Sequence, residues 1–239
     1  MSKKLNTVEE YMAAKIRAKE LENNPAVRTP LAMVLDISGS MAGTPIEQLN
    51  RGAQMLLHEI LANVKAKNSV EVCVIAYDHE INCIREFGTI RSENEIPAMT
   101  TRSGATYTGS AVHAALDRLE DRKAEYAEKG VEYYQPWLVL ISDGEPYGED
   151  PSVTESAVKR IADMTAAKDL TAYTVGVGER INQETLQRFS PASKPMHIDT
   201  IDQFQSLFSW ISASVIRVAS QKTPYAAPEN VCRWEEFRP

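Results

Sequence analysis

The run Leu31-Ala-Met-Val-Leu-Asp36-Ile-Ser38-Gly-Ser40-Met41-Ala-Gly43-Thr44-Pro45-Ile46 passes from an unbroken apolar stretch, through a carboxylate and two alternating serines, into a helix start. A short apolar run closed by turn formers fits a strand covered on both faces. Behind it Ile46, Leu49, Ala53, Leu56, Leu57, Ile60, Leu61 and Val64 recur at helical spacing, so a helix is expected from Pro45 to about Lys65. Thr44 reads as its N-cap, Pro45 as its first residue, and Glu47 as the acid completing a capping box. Buried strand, polar loop and long helix make the first half of a βαβ unit.

The flanking sequence continues the alternation. Val70–Tyr77 and Ile81–Phe87 are separated only by Asp78-His79-Glu80, too short for a crossover, so they predict an antiparallel hairpin. A helix over about 109–128 carries Ala111, Val112, Ala115, Leu116 and Leu119 on one face. Trp137–Ser142 reads as a buried strand, followed by a helix near 152–168 and a strand over 171–176. A short helix near 182–189 and a short strand near 196–199 lead to a last helix from Ile201 to about Ser220. Its Phe204, Leu207, Phe208, Ile211, Val215 and Val218 fall in register. The expected fold is α/β: a doubly wound, mostly parallel six-stranded sheet with one antiparallel edge strand and helices on both faces. One domain would span 29–221, between an N-terminal helical extension (1–28) and an irregular C-terminal arm (222–239) rich in proline. In the extension, Thr7 to about Glu22 reads as an amphipathic helix with Val8, Tyr11, Met12, Ile16 and Leu21 on its apolar side. Asn23-Asn24-Pro25 ends it.

Composition narrows the function. The 239 residues are 43% hydrophobic and 25% charged, which excludes disordered and fibrous classes. A net charge of −7 supplies no basic excess for nucleic acid. Cys73, Cys83 and Cys232 form an odd set without CxxC spacing, as expected in a reducing compartment. No apolar leader follows Lys3 and Lys4, and no run approaches the roughly 20 residues of a membrane span. A cytoplasmic location is the expectation.

Three polar loops should meet beyond the carboxyl ends of the strands, where open α/β sheets bind ligands. They are Asp36 to Gly43, Gly104-Ala-Thr106-Tyr-Thr108-Gly109, and Ser142-Asp143-Gly144-Glu145. Two carboxylates brought close repel unless a cation neutralises them. An all-oxygen set suits a hard ion, and few ligands in an open cavity favour Mg2+, with Ca2+ or Mn2+ as alternatives. Thr108 is expected to cap the helix of 109–128, and Glu145 to be an outlying acid or an exposed loop residue.

Asp36-x-Ser38-x-Ser40, Thr106 and Asp143, in this order and on these elements, resemble the metal-ion-dependent adhesion site of von Willebrand factor A domains. The likeness covers about 190 residues. Ser142-Asp-Gly-Glu-Pro-Tyr-Gly148 and Val175-Gly-Val-Gly178 are also similar to that family. The string Asp36–Ile46 looks more specifically like bacterial TerY-type proteins of tellurite-resistance clusters. The resemblance implies that Ser38 and Ser40 bind the metal directly and Asp36 mainly through water. Thr106 and Asp143 would trade direct and water-mediated roles, and a partner's Glu or Asp would complete the shell. It further implies a non-enzymatic interaction module working beside a kinase and a phosphatase in stress response or defence.

Other chemistries fit less well. The Asp36, Ser38 and Ser40 trio alone could be turn and cap residues. Gly176-Val-Gly178 lacks the third glycine of a dinucleotide loop and falls late in the sheet. His58, His79, His113 and His197 share no spacing, and the serines lack a GxSxG elbow. An aspartyl-phosphate enzyme would need an Asp-x-Asp pair and a lysine that are not evident. The alternative kept is a metal-dependent hydrolase or phosphotransfer enzyme using Asp36 and Asp143; an extracellular adhesin is disfavoured by the cysteines and the missing leader.

Overall fold

Every residue of strand β1 (Thr29–Asp36) is buried, because the strand lies at the middle of the sheet and is covered on both sides. The computed structural model describes residues 8–102, 104–143, 146–178, 181–198 and 200–220. In chain order these form α1 (Val8–Asn23), β1, α2 (Thr44–Ala62), α3 (Ala66–Ser69), β2 (Val70–Tyr77), β3 (Ile81–Arg85), α4 (Thr108–Lys129), β4 (Trp137–Ser142), α5 (Pro151–Ala166), β5 (Thr171–Val177), α6 (Gln183–Phe189), β6 (Met196–Ile198) and α7 (Ile201–Ala219). The six strands lie in the order β3-β2-β1-β4-β5-β6. All pairings are parallel except β2 with β3, the tight hairpin in which Tyr77 faces Ile81. The expected sheet is the one observed.

The chain leaves β1 toward β2 on one side and returns to place β4 on the other, so the strand order reverses between β1 and β4. Alternate residues of each strand feed two cores. Leu31, Met33 and Leu35 join Leu49, Leu56, Phe208 and Ile211 from α2 and α7. Ala32 and Val34 join Val112, Leu116, Leu119 and Ile161 from α4 and α5.

Three local expectations are corrected. Helix α2 starts one residue early, with Gly43 at the cap position (φ 82°) and no side-chain cap, so Thr44 lies inside the first turn. A left-handed residue is needed to turn the chain out of the serine loop, and glycine supplies it. Helix α4 begins at Thr108, which therefore cannot cap it. In α1, Leu21 is buried, but Met12 and Ile16 are 53% and 51% exposed, so this helix is not the amphipathic one expected. The side chains of Val8 and Tyr11, and the arm 222–239 with Cys232, lie outside the described ones.

The sheet edge opposite the polar loops is held by a buried ion cluster. Glu71, at the start of β2 and fully buried, receives Arg122 through Nε at 2.7 Å and Nη2 at 2.8 Å. It also meets Arg28 Nε at 3.0 Å and accepts the Tyr126 hydroxyl at 2.8 Å.

Candidate functional site

Parallel pairing aligns the carboxyl ends of three strands. Asp36 stands opposite Tyr77, and Leu35 opposite Ile141, which brings the ends of β1 and β4 together. The last residue of β4, Ser142, donates its hydroxyl to Asp36 Oδ2 at 2.7 Å. Asp36 Oδ1 accepts the Ser38 amide at 2.8 Å, the bond that bends the chain away from the strand. Ser38 Oγ lies 3.0 Å from Ser40 Oγ, and Ser40 Oγ donates to Asp143 Oδ1 at 2.9 Å. Asp36, Ser38, Ser40, Asp143 and Ser142 thus close a ring of oxygens. The short 3-10 turn Gly39–Met41 shapes one side of it, pinned by Met41, which is fully buried.

Thr106 makes no hydrogen bond to these groups among the described residues, and its backbone ties its loop to the neighbouring one. Its amide donates to Tyr147 O at 2.8 Å and its carbonyl accepts from Tyr147 N at 3.0 Å, stitching this loop to the one after β4. The next residue, Tyr107, donates its amide to Asp78 O at 2.8 Å, at the end of β2. All five expected site residues therefore lie at one end of the sheet, Asp36 closing β1 and the others on the loops, four of them in a direct hydrogen-bonded chain. Ser38 and Thr106 are buried, whereas Ser40 is exposed, which leaves the ring open to solvent on that side.

The electrostatics of the ring are unbalanced. Asp36 is fully buried, and no ion pair reaches it or Asp143 among the described residues. Burial pushes the Asp36 carboxyl above its ordinary range against the hydrogen bonds from Ser142 and Ser38, and the Asp143 charge adds to the rise. Burial likewise raises Asp143, opposed by the Ser40 hydroxyl. Burial and then the Asp36 charge push the Tyr77 phenol well above its usual range. Two acids and three hydroxyls converge with no counter-charge among the described residues. That donor set fits a hard divalent cation, which would neutralise both carboxylates.

Residues given no site role by the sequence complete the surroundings. Ser142 positions Asp36, and a strand-pairing argument finds it, since it ends the strand next to the one Asp36 ends. Glu149 does the capping expected of Thr108. Its carboxylate accepts the Gly109 and Ser110 amides at 2.8 Å each and the Thr154 hydroxyl at 3.0 Å. A cap supplied from 40 residues away leaves no local signal. Thr108 instead lies 3.4 Å from the Tyr77 hydroxyl. Glu145 lies outside the described residues. The four histidines do not gather at the ring: His58 pairs with Glu93, His79 with Asp78, and His197 faces Gly178 O.

The profile of the von Willebrand factor type A domain matches residues 31–212. An uncharacterized protein of Synechocystis (sll0103) is 24% identical over 188 residues, 79% of this chain and 41% of its own length. The chain thus spans about two fifths of that curated relative. Among solved structures, a von Willebrand factor type A protein from Catenulispora acidiphila superposes with a TM-score of 0.62 at 15% identity, over 80% of this chain and 43% of that one. Proximal thread matrix protein 1 of the mussel byssus, in a structure with a zinc-occupied MIDAS motif of its own, gives 0.55 at 13% identity, over 80% and 48% of the two chains. At such identities these structures speak for the fold.

Proposed function

Because the chain belongs to the von Willebrand factor type A family, we propose that its oxygen ring holds a divalent cation and uses it to capture a carboxylate of a partner protein. The observation that carries the reading is the pair of acids, Asp36 and Asp143, without a cationic partner among the described residues. Ser38, Ser40 and Thr106 would supply neutral oxygens beside them. A bound ion would supply Lewis acidity toward an incoming carboxylate. The chain's own residues orient and shield. Ser142 and the Ser38 amide hold Asp36 by both oxygens, and buried Met41 fixes the turn that presents Ser40. Tyr147, 72% exposed on the adjoining loop, offers an aromatic rim for the partner.

The donor set favours Mg2+, with Ca2+ or Mn2+ as substitutes, and the zinc seen in the mussel protein makes zinc a necessary comparison. The acceptors on the ring serines are the same two carboxylates that a bound cation would engage, and no histidine stands beside them among the described residues, which supports an interaction module over an enzyme. The likeness of Asp36–Ile46 to tellurite-resistance proteins supports a partner in a cytoplasmic bacterial stress-response complex, such as a kinase or phosphatase.

Calorimetric titration with Mg2+, Mn2+ and Zn2+ tests the ring. Wild type should bind one cation, and Asp36→Ala and Asp143→Ala should each weaken it at least tenfold, the loss of one charged ligand. A glutamate-bearing peptide should then bind only the loaded protein. Equal cation affinity in all three proteins refutes the site. Metal-dependent turnover of a generic phosphate ester, lost in Asp36→Ala, would replace capture by the hydrolase reading.

A further inference from the structure

A second reactive cluster lies on the edge of the sheet, away from the oxygen ring. Cys73 on β2 points to the α4 face, packed with Ile75 and Tyr77, and Cys83 on β3 packs against the same core. Cys83 pairs with Ile75, and the strand register slips between Val74 and Ile75, which draws β3 diagonally toward Cys73. The two sulfurs and a Glu86 carboxylate oxygen lie within 4.8 Å of one another. Cys73 is fully buried, whereas Cys83 is partly exposed, and both are free thiols. From α4, Arg118 brings its Nε to 3.3 Å from Glu86 Oε2 and lies against the Cys83 sulfur.

This arrangement has the parts of a redox pair: a partly exposed sulfur beside a guanidinium, and a second sulfur behind it in the core. The hydrogen bond from Cys73, together with Arg118, holds the Cys83 thiol below its ordinary range. The same bond and burial push Cys73 up. A thiolate is the better nucleophile, so the outer sulfur reacts first. A metal site of the same three residues is disfavoured, because Arg118 already puts a positive charge on the two ligands nearest solvent.

We propose that Cys83 and Cys73 form a thiol-oxidation site, where hydrogen peroxide is reduced at Cys83 and the pair closes to a disulfide joining edge strand β3 to β2. The Cys83 thiolate attacks one peroxide oxygen. The O–O bond breaks, the leaving hydroxide takes a proton and departs as water, and Cys83 carries a sulfenic acid. The Cys73 sulfur then attacks Cys83, the S–O bond breaks, and a second water leaves with the thiol proton. Two sulfurs lose two electrons and the peroxide gains them.

The test treats the full chain with one equivalent of hydrogen peroxide and follows intact mass, thiol count and the bond by peptide mapping. Expected are a loss of about 2 Da, a Cys73–Cys83 linked peptide and full reversal by dithiothreitol. Cys232→Ser should behave identically, and Cys83→Ser, at a partly exposed position, should lose the bond while keeping its circular dichroism. Cys73→Ser should stop at a Cys83 sulfenic acid trapped by dimedone. Arg118→Met should slow oxidation roughly tenfold, since it removes the charge that favours the thiolate. Persistent free thiols at Cys73 and Cys83 in folded protein would overturn the proposal, as would a bond to Cys232 instead. So would a thiolate-to-metal band on adding equimolar Co2+, which would make the cluster a metal site.

Discussion

Replacing Glu71 by Gln keeps the volume of the side chain and removes the charge on which two buried arginines depend. Arg28 is fully buried and Arg122 only 3% exposed. Each would keep one acid farther out, Glu20 at 3.4 Å and Glu125 at 2.5 Å, but Glu125 is 53% exposed and well screened. Breaking a buried ion pair from one side costs about 3–5 kcal/mol, because the remaining charge stays desolvated. For a chain of this size that corresponds to a fall in Tm of about 6–20 °C. Urea titration followed by circular dichroism measures the loss, and a cycle with Arg122→Met should show coupling of about 0.5–3 kcal/mol. Cation affinity should stay unchanged in folded Glu71→Gln, since six residues of strand, about 20 Å, separate Glu71 from Tyr77 at the ring. A loss below about 1 kcal/mol would show that water reaches the cluster and would refute the reasoning.

Gly52→Ala should destabilise by about 1–3 kcal/mol, since a Cβ there would stand 2.0 Å from Phe208 Cδ2 where α2 packs on α7; thermal unfolding reads it. Glu149→Ala should cost about 2 kcal/mol by freeing the Gly109 and Ser110 amides, measured by urea denaturation, with faster amide exchange confined to the first turn of α4. In EDTA-treated protein, Asp36→Asn should raise the melting temperature, because the amide puts no charge into the site whose burial disfavours the ionised carboxyl. The same variant should show no further rise on adding Mg2+, whereas wild type should gain stability with each increment of the ion.

The sheet was readable because its signals are local and repeated: wholly apolar strands, helical spacing behind them, and a hairpin with a three-residue link. The doubly wound class followed from the alternation of strands and helices, and with it the convergence of the loops around Asp36 and Asp143. What escaped was set by contacts between distant segments. Glu71 lies in the run Val70-Glu-Val-Cys-Val-Ile-Ala-Tyr77, whose pattern says only that a strand is there; its partners come from residues 28, 122 and 126. Glu149 caps a helix that begins 41 residues earlier, while the nearer Thr108 has the right chemistry and the wrong position. The apolar side of α1 failed for a related reason. Spacing can propose a stripe, but Met12 and Ile16 would need a surface to cover them, and none of the described residues supplies it.

The two ends of β1 and β2 meet the same difficulty in opposite ways. Each end buries carboxylates in surroundings where an isolated charge is costly. At the start of β2, the chain supplies the counter-charge itself, with Arg28 and Arg122 on Glu71, and the result is closed and dry. At the far end the described residues supply hydroxyls and backbone amides to Asp36 and Asp143 and leave Ser40 exposed. A fold that places two arginines on one buried acid places none on the other pair among the described residues. That asymmetry is informative, because hydroxyls donate to a carboxylate and can equally turn their lone pairs to a cation, which an arginine cannot do. On the proposed reading, the ring's missing charge comes from outside. A variant supplying that charge, Ser40→Lys, should stabilise the EDTA-treated protein and abolish cation binding together. If it lowered stability without metal, the ring would be satisfied as it stands, and the cation reading would lose its basis.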